Sequence, residues 1–204
     1  GKDIVFSKIS ENFIEDSTKF KSCHSSTIVQ LCADTLMAAW FGGSHEGAND
    51  VSIWVSSYIN KKWTEPLEVV KGYNSSGVQS PCWNPVLFKT SAGKLLLFYK
   101  VGPNPREWWG CYAESNDNGK TWGKSIKLPD GFLGPIKNKP IQLKNGKILS
   151  PSSVETNNGE WSVHLEVCES NLTKWQKITV SKDDSVGVIQ PSIIIHPDGK
   201  LQML

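Results

Sequence analysis

A chain of 204 residues, 38% of them hydrophobic, is long enough to bury a core of its own. The formal net charge of +2 and pI near 8.2 argue against a nucleic-acid surface, since the lysines sit in short runs beside turns. No stretch approaches transmembrane length, and the five cysteines (Cys23, Cys32, Cys82, Cys111 and Cys168) are too widely spaced for a CxxC metal pair or a complete disulfide set.

No long helical periodicity runs through the chain. Short runs of β-branched and aromatic residues alternate with Gly, Asn and Asp turns, which predicts an all-β fold. A first hairpin is predicted in STIVQLCADTLMAAW from Ser26, followed by the connection WFGGSHEGAND (40–50) and a turn, SSYINKKW, ending at Trp63. A second is predicted in NPVLFKTSAGKLLLFY from Asn84, followed by YKVGPNPREWWG (99–110) and SNDNGKTW (115–122). A third begins at Lys139 as KPIQLKNGKILSPS, followed by SPSSVETNNGEWSVH (150–164) and CESNLTKW, ending at Trp175. A fourth, QPSIIIHPDGKLQML, starts at Gln190.

These units repeat. The turn glycines Gly93, Gly146 and Gly199 lie 53 residues apart, and Trp63, Trp122 and Trp175 follow at spacings of 59 and 53. A fixed period of this length with four short strands per unit is the pattern of a β-propeller blade. The repeats fall near 23–80, 81–135, 136–188 and 189–204, within one domain spanning 1–204. A six-bladed wheel at this period takes on the order of 330 residues, so about three and a half blades are expected here, with the chain expected to continue past its C-terminus.

In an antiparallel blade the "GK" turns and the Trp-ended turns share one end. The blade openings and the middle connections share the other, and loops on a rigid scaffold are where function concentrates. That end is expected to gather His24, Glu46, Asp50, Asn84, Lys100, Arg106, Trp108, Lys137, Lys139, Glu155 and Gln190. Acids, cations and indole planes together suit an acidic sugar: carboxylates transfer protons, cations pair with its carboxylate, and rings stack on the pyranose. Each has a plainer alternative. His24 can cap a strand, Glu46 and Asp50 can be ordinary turn carboxylates, and Arg106, the sole arginine, can stack on Trp108 instead of binding a carboxylate. If Trp108 and Trp109 lie in a strand, they point in opposite directions and at most one faces a ligand. His45 and His164 are read as surface or core residues. No metal-ligand spacing and no phosphate-cradling glycine loop occurs, so no cofactor is expected. The N-terminal GKDIVFSKIS lacks the apolar core of a secretion signal, while sequons stand at Asn74 and Asn171, so the compartment stays open, as does the oligomeric state.

The strings HSSTIV, AWFGGSHEGANDVSIW, WNPVLF, LLLFYKVGPNPREWWG, GPIKNKP, SPSSVE and IQPS resemble the sialidase-like BNR/Asp-box repeat proteins, the predicted neuraminidases, from about Cys23 onward. SNDNGKTW resembles the family's Asp box, read as a turn that stabilises its blade. The resemblance implies a propeller of the sialidase type and hydrolysis of a terminal acidic sugar. It implies Asp50 as acid/base, and a hydrolase reading of the residues adds Glu46 or Glu155 as a supporting carboxylate and Arg106 with Lys137 or Lys139 as anion contacts. The chain departs from that pattern at the first blade opening, where sialidases carry an arginine and SCHSSTIV has His24. A sialidase's nucleophilic Tyr and its partner Glu would lie beyond the last residue here. Two other readings stand beside the hydrolase. One is a polysaccharide lyase in which His24 abstracts the proton α to a uronate carboxylate that Arg106 neutralises. The other is a carbohydrate-binding propeller without turnover.

Overall fold

The computed structural model describes residues 7, 11–14, 19–180 and 187–204. Strands β1 (Ser22–Cys32), β2 (Thr35–Gly43), β3 (Ser52–Ile59) and β4 (Lys62–Trp63) form a first antiparallel sheet in chain order, and β5 (Leu67–Val70) also pairs with β3. A small ribbon, β6 (Gly72–Tyr73) with β7 (Gln79–Ser80), leads into the second sheet: β8 (Cys82–Lys89), β9 (Leu95–Val101), β10 (Trp109–Ser115) and β11 (Ile126–Lys127). The third sheet is β12 (Ile141–Gln142), β13 (Ile148–Glu155), β14 (Trp161–Cys168) and β15 (Gln176–Thr179). Strands β16 (Ile193–Ile195) and β17 (Leu201–Met203) make a final hairpin. A five-stranded sheet, two four-stranded meanders and the opening hairpin of a fourth unit, with β1 packed against β8, are successive blades of a β-propeller.

The opening hairpins of blades two, three and four owe their form to one five-residue turn, whereas in blade one Ala33 and Asp34 alone join β1 to β2. Thr90 N–H donates to Lys94 O, Leu143 N–H to Lys147 O and His196 N–H to Lys200 O. In each, the glycine (Gly93, Gly146 or Gly199) takes φ between 83° and 86°, a conformation that costs glycine nothing.

Period-2 alternation then builds the core between blades. Met37, Ala39 and Phe41 of β2 pack with Leu87, Leu97 and Tyr99 of blade two, while Leu96 and Phe98, pointing the other way, pack with Ile148, Cys168 and Leu172 of blade three. Strand β9 is buried on both faces, which is why LLLFY reads as an unbroken apolar run. Each such side chain contributes about 1.5–3 kcal/mol. On its other face, blade one packs Ala38 and Trp40 against Phe20 and Trp54.

The Trp-ended turns are not one conformation. In 115–122, Asp117 accepts from Thr121 N–H (2.9 Å), Thr121 Oγ1 (2.6 Å) and Ser115 Oγ (2.7 Å), while Ser115 Oγ accepts from Gly119 N–H. The Thr121 hydroxyl and amide hold the Asp117 carboxyl down at about 2. In blade one the turn shrinks to Asn60–Lys61, both at positive φ, a tight two-residue hairpin. Trp63 closes the two-residue β4, Trp175 directly precedes β15, and Trp122 stands four residues before β11, so none of the three is the first residue of its strand as expected.

Gly119 and Leu172 occupy the same place in their turns, both at positive φ and both facing the preceding blade. At Gly119 that blade presents Met37, whose Cε would lie 2.3 Å from an added Cβ. At Leu172 a leucine fills the gap between Leu96 and Ile148. Gly119→Ala should therefore destabilise by about 1–2 kcal/mol from the left-handed backbone alone, and more where Met37 cannot swing aside. Urea unfolding reads this directly, and an unchanged midpoint would refute the packing argument.

Candidate functional site

The loop end of the blades is built from three sets of residues. The middle connections are shorter than the sequence suggested: 44–51, 102–108 and 156–160, because Trp40–Gly43, Ser150–Glu155 and Trp161–His164 are strand residues. The blade openings are irregular in a repeated way. Ser25 (φ 61°), Asn84 (φ 41°) and Gln190 (φ 57°) all adopt left-handed backbone. The first two sit in β-bulges, where the register breaks between His24 and Thr27 and between Trp83 and Val86. Bulges re-aim side chains at functional ends of sheets.

These openings meet near the axis. Ser25 Oγ donates to Asn84 Oδ1 at 2.9 Å, a buried contact between blades one and two. From blade three, Lys137 Nζ donates to Ser26 O (3.1 Å), and Lys139 Nζ to Thr27 Oγ1 (3.2 Å) and Leu87 O (2.8 Å). Asn138 Nδ2 donates to Gln190 O (2.8 Å) and Pro191 O, and Gln190 N–H donates to Ser153 Oγ. Pro140 shortens β12 to two residues, so 137–139 is left off the ladder and free to reach across. Burial lowers both lysines, Lys139 to about 8 with the Lys137 charge adding to the effect. Among the described residues neither amine has a carboxylate partner. Two partly desolvated cations thus share the axial opening unneutralised.

A row of rings runs outward from there. His24 meets Phe41 edge-on at 5.7 Å, Phe41 meets Trp83 at 5.8 Å, and Trp83 meets Trp108 at 6.0 Å. Trp83 Nε1 donates to Gly102 O at 2.7 Å and fixes the 102–108 loop. His24 is exposed and borders an apolar recess with Phe13, Phe20 and Trp40.

Arg106, Trp108 and Glu155 lie apart from the axial group, lining a cavity of about 300 Å³ between blades two and three with Trp109, Phe132 and Lys177. Both tryptophans face this cavity, against the expectation of one, because Trp108 precedes β10 and is not bound by its alternation. The Trp108 indole N–H is buried without a hydrogen-bond partner. Arg106 makes no cation–π contact with Trp108; the contact formed is Lys177 over Phe132 at 5.7 Å.

Asp50 occupies a third place, a recess of about 270 Å³ with Lys19, Lys21, Ser44 and Trp54. Its carboxylate accepts from Ser44 Oγ (2.9 Å) and from Ser44 N–H (3.0 and 3.2 Å). The Ser44 hydroxyl, more than any other group, holds the Asp50 carboxyl below its usual range. Glu46 and His45 are exposed on the same loop, and Gly47 packs on the Trp83 ring.

Lys100 departs most from expectation. The sequence places it at the open end, but it is fully buried near the close of β9, its amine donating to Pro135 O and to Ile136 O (3.2 Å). Its counterpart is Glu166, which sequence reasoning missed. Also fully buried, Glu166 accepts from Leu133 N–H (3.1 Å), Gly134 N–H (2.7 Å) and His164 Nε2 (2.9 Å). The available signal was a lone Lys in an apolar run and a same-face H-x-E pair in VHLEV. Among the described residues no cluster of His, Cys, Asp and Glu is arranged to hold a metal ion, and no helix is long and apolar enough to cross a membrane.

The same architecture recurs in solved structures. A Dyadobacter fermentans protein of unknown function superposes with a TM-score of 0.71 at 15% identity, over 88% of this chain and 60% of its own. A Trypanosoma rangeli sialidase in complex with 2,3-difluorosialic acid gives 0.63 at 18%, covering 90% of this chain and 34% of its own. A Penicillium chrysogenum α-L-arabinanase complexed with arabinobiose gives 0.64 at 18%, covering 88% and 56%. The chain therefore spans between about a third and three-fifths of these proteins. At such identities the likeness is one of fold. No curated protein matches the chain. Over residues 34–204 it matches the BNR repeat-like domain, and with the blade repeat just described, the chain belongs to the BNR repeat-like domain family.

Proposed function

We propose that this chain supplies part of a glycoside hydrolase site for a terminal acidic sugar. The observation that carries the reading is the pair of partly desolvated amines at the axial opening, Lys137 and Lys139, with no carboxylate to neutralise them among the described residues. An ammonium has three donors. Lys139 uses two and Lys137 one, so two remain on Lys137 for an incoming carboxylate. The sialidase and arabinanase fold neighbours support a glycosidase scaffold. In this reading Asp50 is the acid/base, Glu46 and Glu155 are supporting carboxylates, and Asn84 and Gln190 shape the opening. Arg106 and Trp108 would hold the next part of the glycan in the cavity between blades two and three.

Exposed His24 favours a second reading. It stands two residues before Ser26, whose carbonyl receives Lys137. A base beside a cation is the arrangement that uronate β-elimination uses.

Lys137→Ala should weaken acidic-sugar binding by the full-length protein roughly 10- to 100-fold, the value of a charge-assisted hydrogen bond, and leave neutral-sugar binding unchanged. Calorimetric titration with a sialic acid, a uronate and arabinose reads both. Equal losses for charged and neutral sugars would show that Lys137 only shapes the fold.

A further inference from the structure

Between blades two and three lies a polar cluster in an otherwise apolar interface. On blade three, β13 and β14 pair Ser150 with Glu166 and Ser152 with His164, so all four side chains share the face turned toward blade two. Ser150, Ser152 and Glu166 are fully buried, and the two serine hydroxyls have no hydrogen-bond partner. Lys100 enters from blade two.

What Lys100 and Glu166 bind is one short segment. Glu166 takes the N–H groups of Leu133 and Gly134, and Lys100 takes the carbonyls of Pro135 and Ile136. The carboxylate can only accept, and the Lys100 amine donates to both carbonyls, so each is matched to one half of the segment. The segment is the blade two–three link. It leads directly into Lys137 and Lys139, and its Leu133, with Phe132 before it, walls the cavity that holds Arg106 and Trp108. Burying two ionisable groups is a costly way to secure a loop that apolar packing could hold. It does, however, fix backbone direction in a way that apolar contacts do not.

We propose that Lys100 and Glu166 are positioning residues that clamp Leu133–Ile136 and so set where Lys137 and Lys139 present their amines. The sugar-binding consequence rests on the anion-site reading above; the clamp itself does not.

The test uses the full-length protein with Glu166→Gln, and Leu97→Ala as a core variant of blade two remote from the link. Amide hydrogen exchange is followed by mass spectrometry alongside acidic-sugar affinity. In Glu166→Gln, exchange over 133–139 should accelerate at least tenfold with β8 and β9 still protected, and affinity should fall about as far as in Lys137→Ala. In Leu97→Ala, exchange should rise across the blade without that local excess. If Glu166→Gln does not fold, Lys100→Met/Glu166→Leu replaces the pair with apolar groups and should fold with the same loosened link. Exchange at 133–139 that is unchanged, or that rises only in step with the rest of blade two, overturns the clamp. Absence of acidic-sugar binding by the unaltered protein overturns the anion site instead, and the exchange pattern still decides the clamp.

Discussion

Asp50→Asn in the full-length protein is expected to lower turnover of an acidic-sugar substrate by roughly 10²- to 10⁴-fold, the usual worth of a positioned acid or base, while sugar binding survives. The asparagine keeps an oxygen to accept from the Ser44 amide and hydroxyl, so the 44–51 loop should hold its shape. What it loses is the proton. In the free protein the Asp50 carboxyl is held low by the Ser44 hydroxyl, which suits a base and not an acid. For Asp50 to donate a proton, bound sugar must displace Ser44 and let the carboxyl rise. Ser44→Ala should accordingly let the Asp50 carboxyl rise and move the alkaline limb of the kcat/KM profile upward in pH without abolishing activity. If Asp50→Asn retains full turnover, Asp50 is a loop cap and the acid lies elsewhere.

The second large effect is on stability against pH. Burial depresses Lys100 from 10.5 to about 7. Between those values the unfolded chain holds a proton that the folded chain has released, so stability must rise with pH from about 7 upward. Lys139, lowered to about 8, adds the same sign above that point. Burial raises Cys111 to about 11 and Cys168 to about 12. Above pH 9 the folded state therefore keeps thiol protons that the unfolded chain loses, and the trend reverses. The rise should be confined to about pH 7–9, with a slope no greater than about 1.4 kcal/mol per pH unit for Lys100. Glu166, Cys111 and Lys137 act on the amine, Glu166 and Cys111 limiting how far burial lowers it and Lys137 adding to the fall; His164 bonds to Glu166. Urea midpoints at pH 7, 8 and 9 should climb in the natural chain, while Lys100→Met should stay flat between pH 7 and 8 and keep only the Lys139 rise above that. A midpoint that falls over this interval would mean that the buried amine keeps its proton.

Much of the fold can be read in the sequence because the blade repeats. A turn that needs a glycine at positive φ returns in the opening hairpins of blades two, three and four, and Gly93, Gly146 and Gly199 mark it. The Trp-ended turns are less legible. The same position is Gly119 in one blade and Leu172 in another, and the choice is made by Met37 or Leu96 on the blade before. No local pattern carries that information.

The site is legible to a lesser degree. The blade openings contact one another, through Ser25 with Asn84, Lys137 with Ser26, Lys139 with Leu87, and Asn138 with Gln190. Arg106, Trp108 and Glu155 gather in a separate cavity, and Asp50 in a third recess, because the middle connections lie farther out along the sheets than the openings. Lys100 reads as a loop cation but ends β9 on the face turned to blade three. Its burial depends on Glu166 and the 133–136 link, which lie more than thirty residues further along.

The most direct measurement is the product formed when the full-length protein meets terminal sialosides and uronate-capped oligosaccharides, with released sugar and ultraviolet absorbance followed together. The account predicts free acidic sugar with no absorbing product, and loss of that release in Asp50→Asn. An unsaturated, absorbing uronate would contradict it and place proton abstraction, with His24 as the base, at the centre of the chemistry.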